Sequence, residues 1–331
     1  MREPYYIGGQ LTHSSNTIPV IFPYTGEVFA EVCIASVDDQ ARDADADCAM
    51  RGFAETMILP DHRHAAILLD IADQIEEHRG EFVHTLVYES GKPSRQAHLD
   101  VTRAVSRMRI SAEESFRITG KVIHIDDTEQ GDGYTGYYYQ VPYGPVLCIT
   151  PFNYPLNLAC HKIGPAITAG CSFVLKPSTK KPLSALLLTS LILDAGYPAD
   201  AVNVVPCFGS NVETLVRDPR FTVLSFTVSH AVSWRLKEIF PGRRVGLRLG
   251  RNAPAFVHKD VYIAYAAHRT AEEAVINAGL SCISMQRVYL HTAIYDACLG
   301  MILDEIRSFA VGVIPVCRRR MWVRRFQRRR R

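Results

Sequence analysis

Between Pro145 and Leu249 the chain repeats one alternation five times, and this limits its fold more than any other feature. Val146-Leu147-Cys148-Ile149 is a continuous apolar run, as expected of a strand buried on both faces. A helical stretch from about Leu156 to Ala169 follows. Then come strand Phe173-Val174-Leu175, helix Leu183 to Ala195, strand Val202-Asn203-Val204-Val205 and a short helix from Val212 to Arg217. Strand Val223-Leu224-Ser225-Phe226, helix Ala231 to Ile239 and strand Val245 to Leu249 complete the series. Short turns between strands and helices predict an α/β fold with a doubly wound parallel sheet. Such sheets bind ligands at the carboxyl ends of their strands.

Those ends read Thr150-Pro151-Phe152-Asn153, Lys176-Pro177-Ser178-Thr179, Phe208-Gly209-Ser210, Thr227-Val228-Ser229 and Gly250-Arg251-Asn252. Small, polar and cationic groups collect on one edge, which suits a phosphate-bearing cofactor held by helix N-termini and one lysine. Each turn alone is ordinary, and Asn153 alone could be a helix cap. Their recurrence at successive strand ends carries the inference.

Beyond the sheet, Asn277-Ala278-Gly279 breaks an apolar helical run, Ala271 to Ala278, and leads into Leu280-Ser281-Cys282-Ile283-Ser284. A thiol in a polar turn at a helix end can be reached and ionised, which points to nucleophilic chemistry at Cys282. The plain alternative is one more buried cysteine, since free Cys is among the most buried residue types.

The first 142 residues add helices and short strands. Ile7-Gly8-Gly9 and Pro23-Tyr24-Thr25-Gly26-Glu27 mark turns, and Val28 to Ile34 alternates as a strand. Ser36 with Asp38 and Asp39 predicts the cap of a helix to about Thr56. Pro60 opens another, with Ile67, Leu68, Ile71, Ala72 and Ile75 on one face. Gly80 and Gly91 punctuate two more, the last ending near Ile118. His62, His64, His78 and His84 fall on these helices and read as solvated faces, with no metal-ligand spacing. Residues 121 to 142 are β-like. Gly131-Asp132-Gly133-Tyr134-Thr135-Gly136 matches Gly-x-Gly-x-x-Gly, but it leads into a tyrosine-rich strand and not a helix. It reads as a hairpin turn.

At 331 residues the chain has room for two domains. The N-terminus, Met1 to Tyr6, lacks a signal-peptide core, and no apolar run nears the ~18 residues of a spanning helix. The nine scattered cysteines suit a reducing cytoplasm. The net charge of +3 conceals a division: nine of the 37 basic residues lie in 318–331, and the other 28 face 34 acidic ones, a net of −6.

These motifs together resemble the NAD(P)-dependent aldehyde dehydrogenase superfamily from about Tyr6 to about Phe309. The resemblance rests on Pro23 to Glu27, Thr150-Pro151-Phe152-Asn153-Tyr154-Pro155, Leu175-Lys176-Pro177-Ser178, Ser225-Phe226-Thr227, Leu247-x-Leu249-Gly250 and the Cys282 segment. Asn277 to Val288 looks most like the lactaldehyde, glyceraldehyde-3-phosphate and phosphonoacetaldehyde branches. The resemblance implies a Rossmann-like dinucleotide-binding domain over 1–246 with an oligomerisation hairpin at about 121–142. It also implies a partial second α/β catalytic domain over 247–312. In that scheme Cys282 attacks the aldehyde carbon, while the Asn153 amide and the Cys282 backbone N–H hold the oxyanion. Lys176 holds the adenosine ribose, and Thr150, Pro151, Phe152, Ser178, Thr179, Gly209, Phe226, Ser229 and Gly250 line NAD or NADP. The partner is a small aldehyde. The family is homo-oligomeric, with no membrane or nucleic-acid partner.

Five departures from the family pattern bear on function. Arg248 occupies the general-base position, which the family fills with glutamate. An arginine takes no proton from water, although its charge favours a thiolate. Val228 and Arg251 replace glycines beside the cofactor. Thr179 replaces the glutamate that binds the ribose 2′-hydroxyl. With Lys180 and Lys181 beside it, discrimination against NADP is expected to be weak. Last, residues 313–331 replace the family's continuation with an Arg-rich segment, which reads as a terminus of accidental origin in preference to a nucleic-acid arm. Apolar faces, notably on an Ile294 to Ile306 helix, are then expected to stand uncovered. The expectations are an aldehyde dehydrogenase impaired in its last step, an acylating enzyme with a thiol acceptor such as coenzyme A, or a dinucleotide-binding remnant.

Overall fold

The computed structural model describes residues 2–35, 39–250, 253–311 and 321–322. For 39–44, 228, 310–311 and 321–322 it describes the backbone only. The chain begins with short strands β1 (Arg2–Glu3), β2 (Tyr5–Ile7), β3 (Gln10–Thr12), β4 (Thr17–Ile21) and β5 (Val28–Cys33). Gly8 and Gly9, at φ +54° and +69°, join β2 to β3 as a two-residue hairpin; other residues are strained at such angles.

Four helices follow: α1 (Asp39–Thr56), α2 (Asp61–Glu77), α3 (Arg79–Ser90) and α4 (Ser94–Glu114). The expected cap at Ser36 and Asp38 lies outside the described residues. Ile67, Leu68, Ile71, Ala72 and Ile75 are all buried, so the predicted face of α2 is the core face. Three details differ from the sequence reading. Gly80 sits inside α3, where open space surrounds it, and marks no break. Helix α4 stops at Glu114, short of Ile118. His64 is buried, not solvated: one ring nitrogen lies 3.3 Å from the Thr56 carbonyl, and burial holds its pKa down. His62, His78 and His84 are exposed.

Strands β6 (Lys121–His124) and β7 (Thr135–Tyr138) pair antiparallel. The glycine-rich stretch begins in the turn between them and ends in β7.

The predicted alternation then appears as β8 (Val146–Ile149), α5 (Pro155–Thr168), β9 (Phe173–Lys176), α6 (Leu183–Asp194), β10 (Val202–Val204), α7 (Val212–Arg217), β11 (Val223–Val228), α8 (His230–Glu238) and β12 (Arg244–Leu249). The sheet order is β12-β11-β8-β9-β10-β2-β3. The five predicted strands are parallel to their neighbours, and β2 and β3 extend the sheet antiparallel beyond β10. Every residue of β8 and β9 is buried, which the apolar runs Val146–Ile149 and Phe173 to Leu175 anticipate; Lys176 at the end of β9 is buried as well. Strand order reverses between β8 and β11. Loops leaving those strands in opposite directions open a crevice at their carboxyl ends.

A second, smaller layer contains β13 (Ala253–Val257), α9 (Ile263–Gly279), β14 (Met285–Leu290) and α10 (Tyr295–Arg307). β13 and β14 pair parallel. The boundary expected at 246/247 falls inside β12. The apolar face of α10 is not bare as expected: Ile294, Cys298 and Ile302 pack with Ala267 and Ala271 of α9 and with Val257. The exposed apolar groups of this layer include Tyr295, Met301 and Leu303 of α10, with Phe256 and Tyr289 stacked at 4.9 Å on the two-stranded sheet. Two-residue strands β15 (Ala310–Val311) and β16 (Met321–Trp322) pair parallel; the rest of the Arg-rich segment lies outside the described residues.

Asp45 of α1 is fully buried, and both its oxygens lack a hydrogen-bond partner among the described residues. Burial pushes its pKa up to about 8. Between roughly pH 4 and 8 the folded chain therefore keeps a proton that the unfolded chain releases. Stability falls as pH rises through that window, by at most ~1.4 kcal/mol per pH unit. Asp45→Asn keeps the shape and removes the titration. The variant's Tm is expected to match wild type near pH 4.5 and to exceed it by about 2–4 °C per kcal/mol released by pH 7.5. A difference independent of pH in thermal melts contradicts this.

Candidate active site

Regular helical geometry in α9 ends before Ile276, which is extended (φ −50°, ψ 139°). Asn277, Ala278 and Gly279 then take φ of +53°, +57° and +73°. The sequence break is thus sharper than a helix end: three successive left-handed residues reverse the chain. Asn tolerates this region, but Ala costs about 1–2 kcal/mol there. Contacts hold the turn in place. The buried Asn277 side chain donates to the Asn153 carbonyl at 2.9 Å. After the reversal, Ser281 and Ser284 fold a tight turn around Cys282, with Ser284 Oγ donating to the Ser281 carbonyl at 3.0 Å. Cys282 is half-buried, whereas every other described cysteine is buried. That separates it from the plain alternative.

Asn153 leaves β8 just before α5, and both its ends are tied to the Cys282 segment. Its side-chain amide donates to the Leu280 carbonyl at 2.7 Å. Its own carbonyl accepts from Asn277 and, at 3.1 Å, from Lys92 Nζ. Lys92 is fully buried and pairs with Asp100 at 2.5 Å, and Asp100 also accepts the Asn157 N–H at 3.1 Å. Tyr154 packs its ring 4.7 Å from Lys92 Nζ and hydrogen-bonds the Ser281 side chain. Sequence reasoning missed Lys92 and Asp100, because a Lys–Asp pair eight residues apart across a loop has no helical signature. It recorded Asn277 only as a break; asparagine's enrichment at positive φ was the available signal.

Cys282 and Asn153 face one cavity of about 1420 Å³ along the carboxyl edge of the sheet. Its wall includes Thr150, Pro151 and Phe152 after β8, Lys176, Ser178 and Thr179 from β9, and Gly209 after β10. Phe226 and Ser229 come from β11 and its turn, and Arg248 and Gly250 from the end of β12. Every residue assigned from sequence to catalysis or cofactor contact therefore borders the same space. Lys176 is buried, which lowers its pKa; its Nζ donates to Thr179 Oγ at 3.1 Å, and Thr179 donates to the Cys207 carbonyl at 2.8 Å. Ser229 precedes α8 without capping it by its side chain. Ser229 and Val232 put the start of that helix on the cavity wall, and helix N-termini favour anions. Of the two lysines expected near Thr179, Lys180 is exposed at the cavity. Lys181 is buried and donates to the Glu89 carbonyl.

Arg248 lies opposite Thr227 in the β11–β12 register, exposed, with no ion pair among the described residues. Its charge reaches His161 and Lys162 on α5. Burial pushes His161 down to about 4, and the charges of Arg107, Arg248, Lys162 and Arg103 add to the effect. Burial brings Lys162 to about 8, and its Nζ donates to Ser225 at 3.1 Å. The Val228 side chain and Arg251 lie outside the described residues.

A family model described as "Aldehyde dehydrogenase family" matches residues 11–315. The 3-sulfolactaldehyde dehydrogenase of Priestia megaterium is 33% identical over 308 residues, covering 93% of this chain and 64% of that protein. The D-glyceraldehyde dehydrogenase (NADP(+)) of Thermoplasma acidophilum is 30% identical, covering 94% and 63%. The fold also matches the crystal structure of aldehyde dehydrogenase 21 from Physcomitrella patens in complex with the reaction product succinate. The TM-score is 0.89 at 31% identity, over 94% of this chain and 65% of that one. An NADP-dependent glyceraldehyde-3-phosphate dehydrogenase from Bacillus halodurans, complexed with NADP, matches with TM-score 0.90 at 27% identity, over 94% and 66%. The chain thus spans slightly less than two thirds of these relatives. A family match over nearly its whole length, an α/β sheet in the expected order and the shared cavity lead to one conclusion: the chain belongs to the aldehyde dehydrogenase family.

Proposed function

We propose that this chain oxidises an aldehyde with NAD or NADP through a thioester on Cys282, and that release of the acid is its impaired step. The observation that carries this is the coupling of Asn153 to the Cys282 segment on one cavity wall, through the 2.7 Å bond to the Leu280 carbonyl. A side-chain amide has two N–H donors. Leu280 takes one, and the other is left for an oxyanion.

The Cys282 sulfur adds to the aldehyde carbon, and the carbonyl oxygen becomes an oxyanion. Asn153 and the Cys282 backbone N–H hold it, where one such donor is typically worth ~10²–10³ in rate. The tetrahedral carbon then loses hydride and becomes a thioester. A bound NAD or NADP supplies the hydride acceptor. Its cavity fits: a buried lysine, a hydroxyl at Thr179 and the start of α8 line a space larger than a dinucleotide needs. Hydrolysis requires water to surrender a proton, and Arg248, fixed in its charged form, cannot take it. The same residue favours a second reading, acyl transfer to a thiol such as coenzyme A, which needs no carboxylate base. The localisation that fits both is cytoplasmic; among the described residues no helix is long and apolar enough to cross a membrane.

Rapid mixing with NADP and an aldehyde is expected to give a burst of reduced cofactor, at most one per chain, followed by slow turnover. Absence of any burst with charged and neutral aldehydes opposes the proposal. Added coenzyme A that lifts the slow phase selects the thiol acceptor.

Cofactor choice gives a further prediction. With Thr179 in place of a carboxylate and Lys180 at the rim, NAD is expected to bind less than about a hundredfold tighter than NADP. Thr179→Glu is expected to weaken NADP by roughly ten- to a hundredfold relative to NAD, by like-charge repulsion. Equal losses for both cofactors in equilibrium titrations contradict it.

A further inference from the structure

Helix α6 begins without a cap of its own. Its N-cap position is Pro182, which makes no side-chain bond, and its first turn holds no acidic residue. A helix start leaves backbone N–H groups unpaired, and buried N–H groups need partners. The partner comes from the last turn of α3. One carboxylate oxygen of Glu89 accepts the Leu183 N–H at 2.9 Å. The other accepts the Ser184 N–H at 3.3 Å and the Ser184 hydroxyl. The backbone carbonyl of Glu89 accepts from Lys181 Nζ. A carboxylate is also favoured at a helix N-terminus by the helix dipole. Glu89 therefore caps α6 from another helix, and it does so with its side chain and its main chain together.

The stretch it holds carries the cofactor-facing residues. Lys176 ends β9, and the Lys181 N–H closes a turn onto the Ser178 carbonyl at 3.0 Å. Ser178, Thr179, Lys180 and Lys181 all border the cavity. Thr179 ties the stretch down at its start, through Lys176 Nζ and the Cys207 carbonyl. Glu89 ties it down at its end. Ser90, the next residue after Glu89, borders the same cavity. Glu89 itself is fully buried, and no step at Cys282 uses its charge.

We propose that Glu89 is a positioning residue for the cofactor, fixing the Lys176–Lys181 loop in the shape that receives NAD or NADP. This rests on the cofactor reading above and adds the group that sets the loop's shape and makes binding depend on pH. The charges that face Glu89 are Lys181, from that loop, and Lys92, which Asp100 of α4 holds in turn. Helix α6 presents N–H groups and the Ser184 hydroxyl, β4 carries no titratable residue, and α2 joins α3 at its opposite end. Burial pushes the Glu89 carboxyl up to about 7, against the pull of Lys181, the two α6 N–H groups and Lys92. Protonation turns one acceptor oxygen into a donor facing other donors. The charged form and the bound cofactor then favour each other. Binding is tight above the raised value and weakens as pH falls through it.

NAD is the probe, because it lacks the 2′-phosphate, a monoester that itself titrates near pH ~6. Calorimetric titration of the whole chain is expected to show NAD affinity falling about three- to tenfold from pH 8 to pH 5.5. Loss of charge on Lys176, whose pKa burial lowers, weakens binding as pH rises and so has the opposite sign. Glu89→Gln is expected to bind NAD about three- to tenfold more weakly at pH 8 and to lose the fall toward acid. A cap that is merely structural predicts a loss with the wild-type pH profile intact. Lys181→Met removes the opposite charge, and it is expected to move the midpoint upward by about one pH unit. That readout does not require Glu89→Gln to fold. Hydrogen exchange tests the loop without ligand: amides from Ser178 to Ser184 are expected to exchange at least about fivefold faster in Glu89→Gln, with those of α10 unchanged. NAD that binds with an affinity indifferent to pH and to Glu89→Gln overturns this proposal alone. NAD that binds at no pH overturns the cofactor reading, and the exchange result then decides whether Glu89 holds the loop.

Discussion

Arg248→Glu is expected to raise steady-state aldehyde turnover by roughly 10²–10⁴, the value of a positioned general base. The burst is expected to change only a few-fold, because acylation of Cys282 uses Asn153 and the cofactor, not residue 248. The position allows the exchange. Residue 248 lies near the carboxyl end of the edge strand β12, exposed and on the wall of the cavity that Cys282 also lines. A shorter carboxylate fits where an arginine does. Its pKa need only lie below the working pH, and the neighbouring cations favour the charged form. Stopped-flow and steady-state rates on both proteins check the prediction. Slow turnover in the glutamate variant, with an intact burst, means that something other than the missing base limits release.

Asn153→Ala is expected to slow the burst by ~10²–10³ by removing one oxyanion donor. The substitution also deletes the bond to the Leu280 carbonyl, so part of the loss comes from a loosened Cys282 turn. Lys92→Met separates the two effects. It removes a donor to the Asn153 carbonyl and leaves the side-chain amide in place. It also strips Asp100 of its buried partner, which costs ~3–5 kcal/mol of stability. The Lys92 variant is therefore expected to melt early and yet burst faster than Asn153→Ala. An unchanged burst rate in Asn153→Ala contradicts the oxyanion role.

What was legible in the sequence was what depends on local pattern. Unbroken apolar runs such as Val146 to Ile149 identify buried parallel strands, and the Asn-Ala-Gly break identifies the turn that presents Cys282. What escaped depends on tertiary placement. β2 and β3 read as strands, but nothing in Tyr5 to Thr12 says that they pair beyond β10. His64 sits on a helix among polar neighbours, and only packing under Thr56 buries it. Lys181 lines the cavity beside Lys180, but its burial and its bond to the Glu89 carbonyl have no sign in the sequence. The Ile294–Ile306 stretch is amphipathic, and its covering comes from α9, some thirty residues earlier. The site followed the same division. Residues that face the cavity lie at strand ends and could be assigned by position. Residues that hold Asn153 in place come from α4, the loop before it and the turn that ends α9.

The account's central claim is that the sulfur of Cys282 becomes acylated beside Asn153. Intact-chain and peptide mass spectrometry after one cycle with aldehyde and NADP tests it most directly. The expected result is a single acyl adduct on the peptide carrying Cys282, formed only with cofactor present, persistent in buffer and absent from Cys282→Ala. An unmodified Cys282, or an adduct on another residue, contradicts the account.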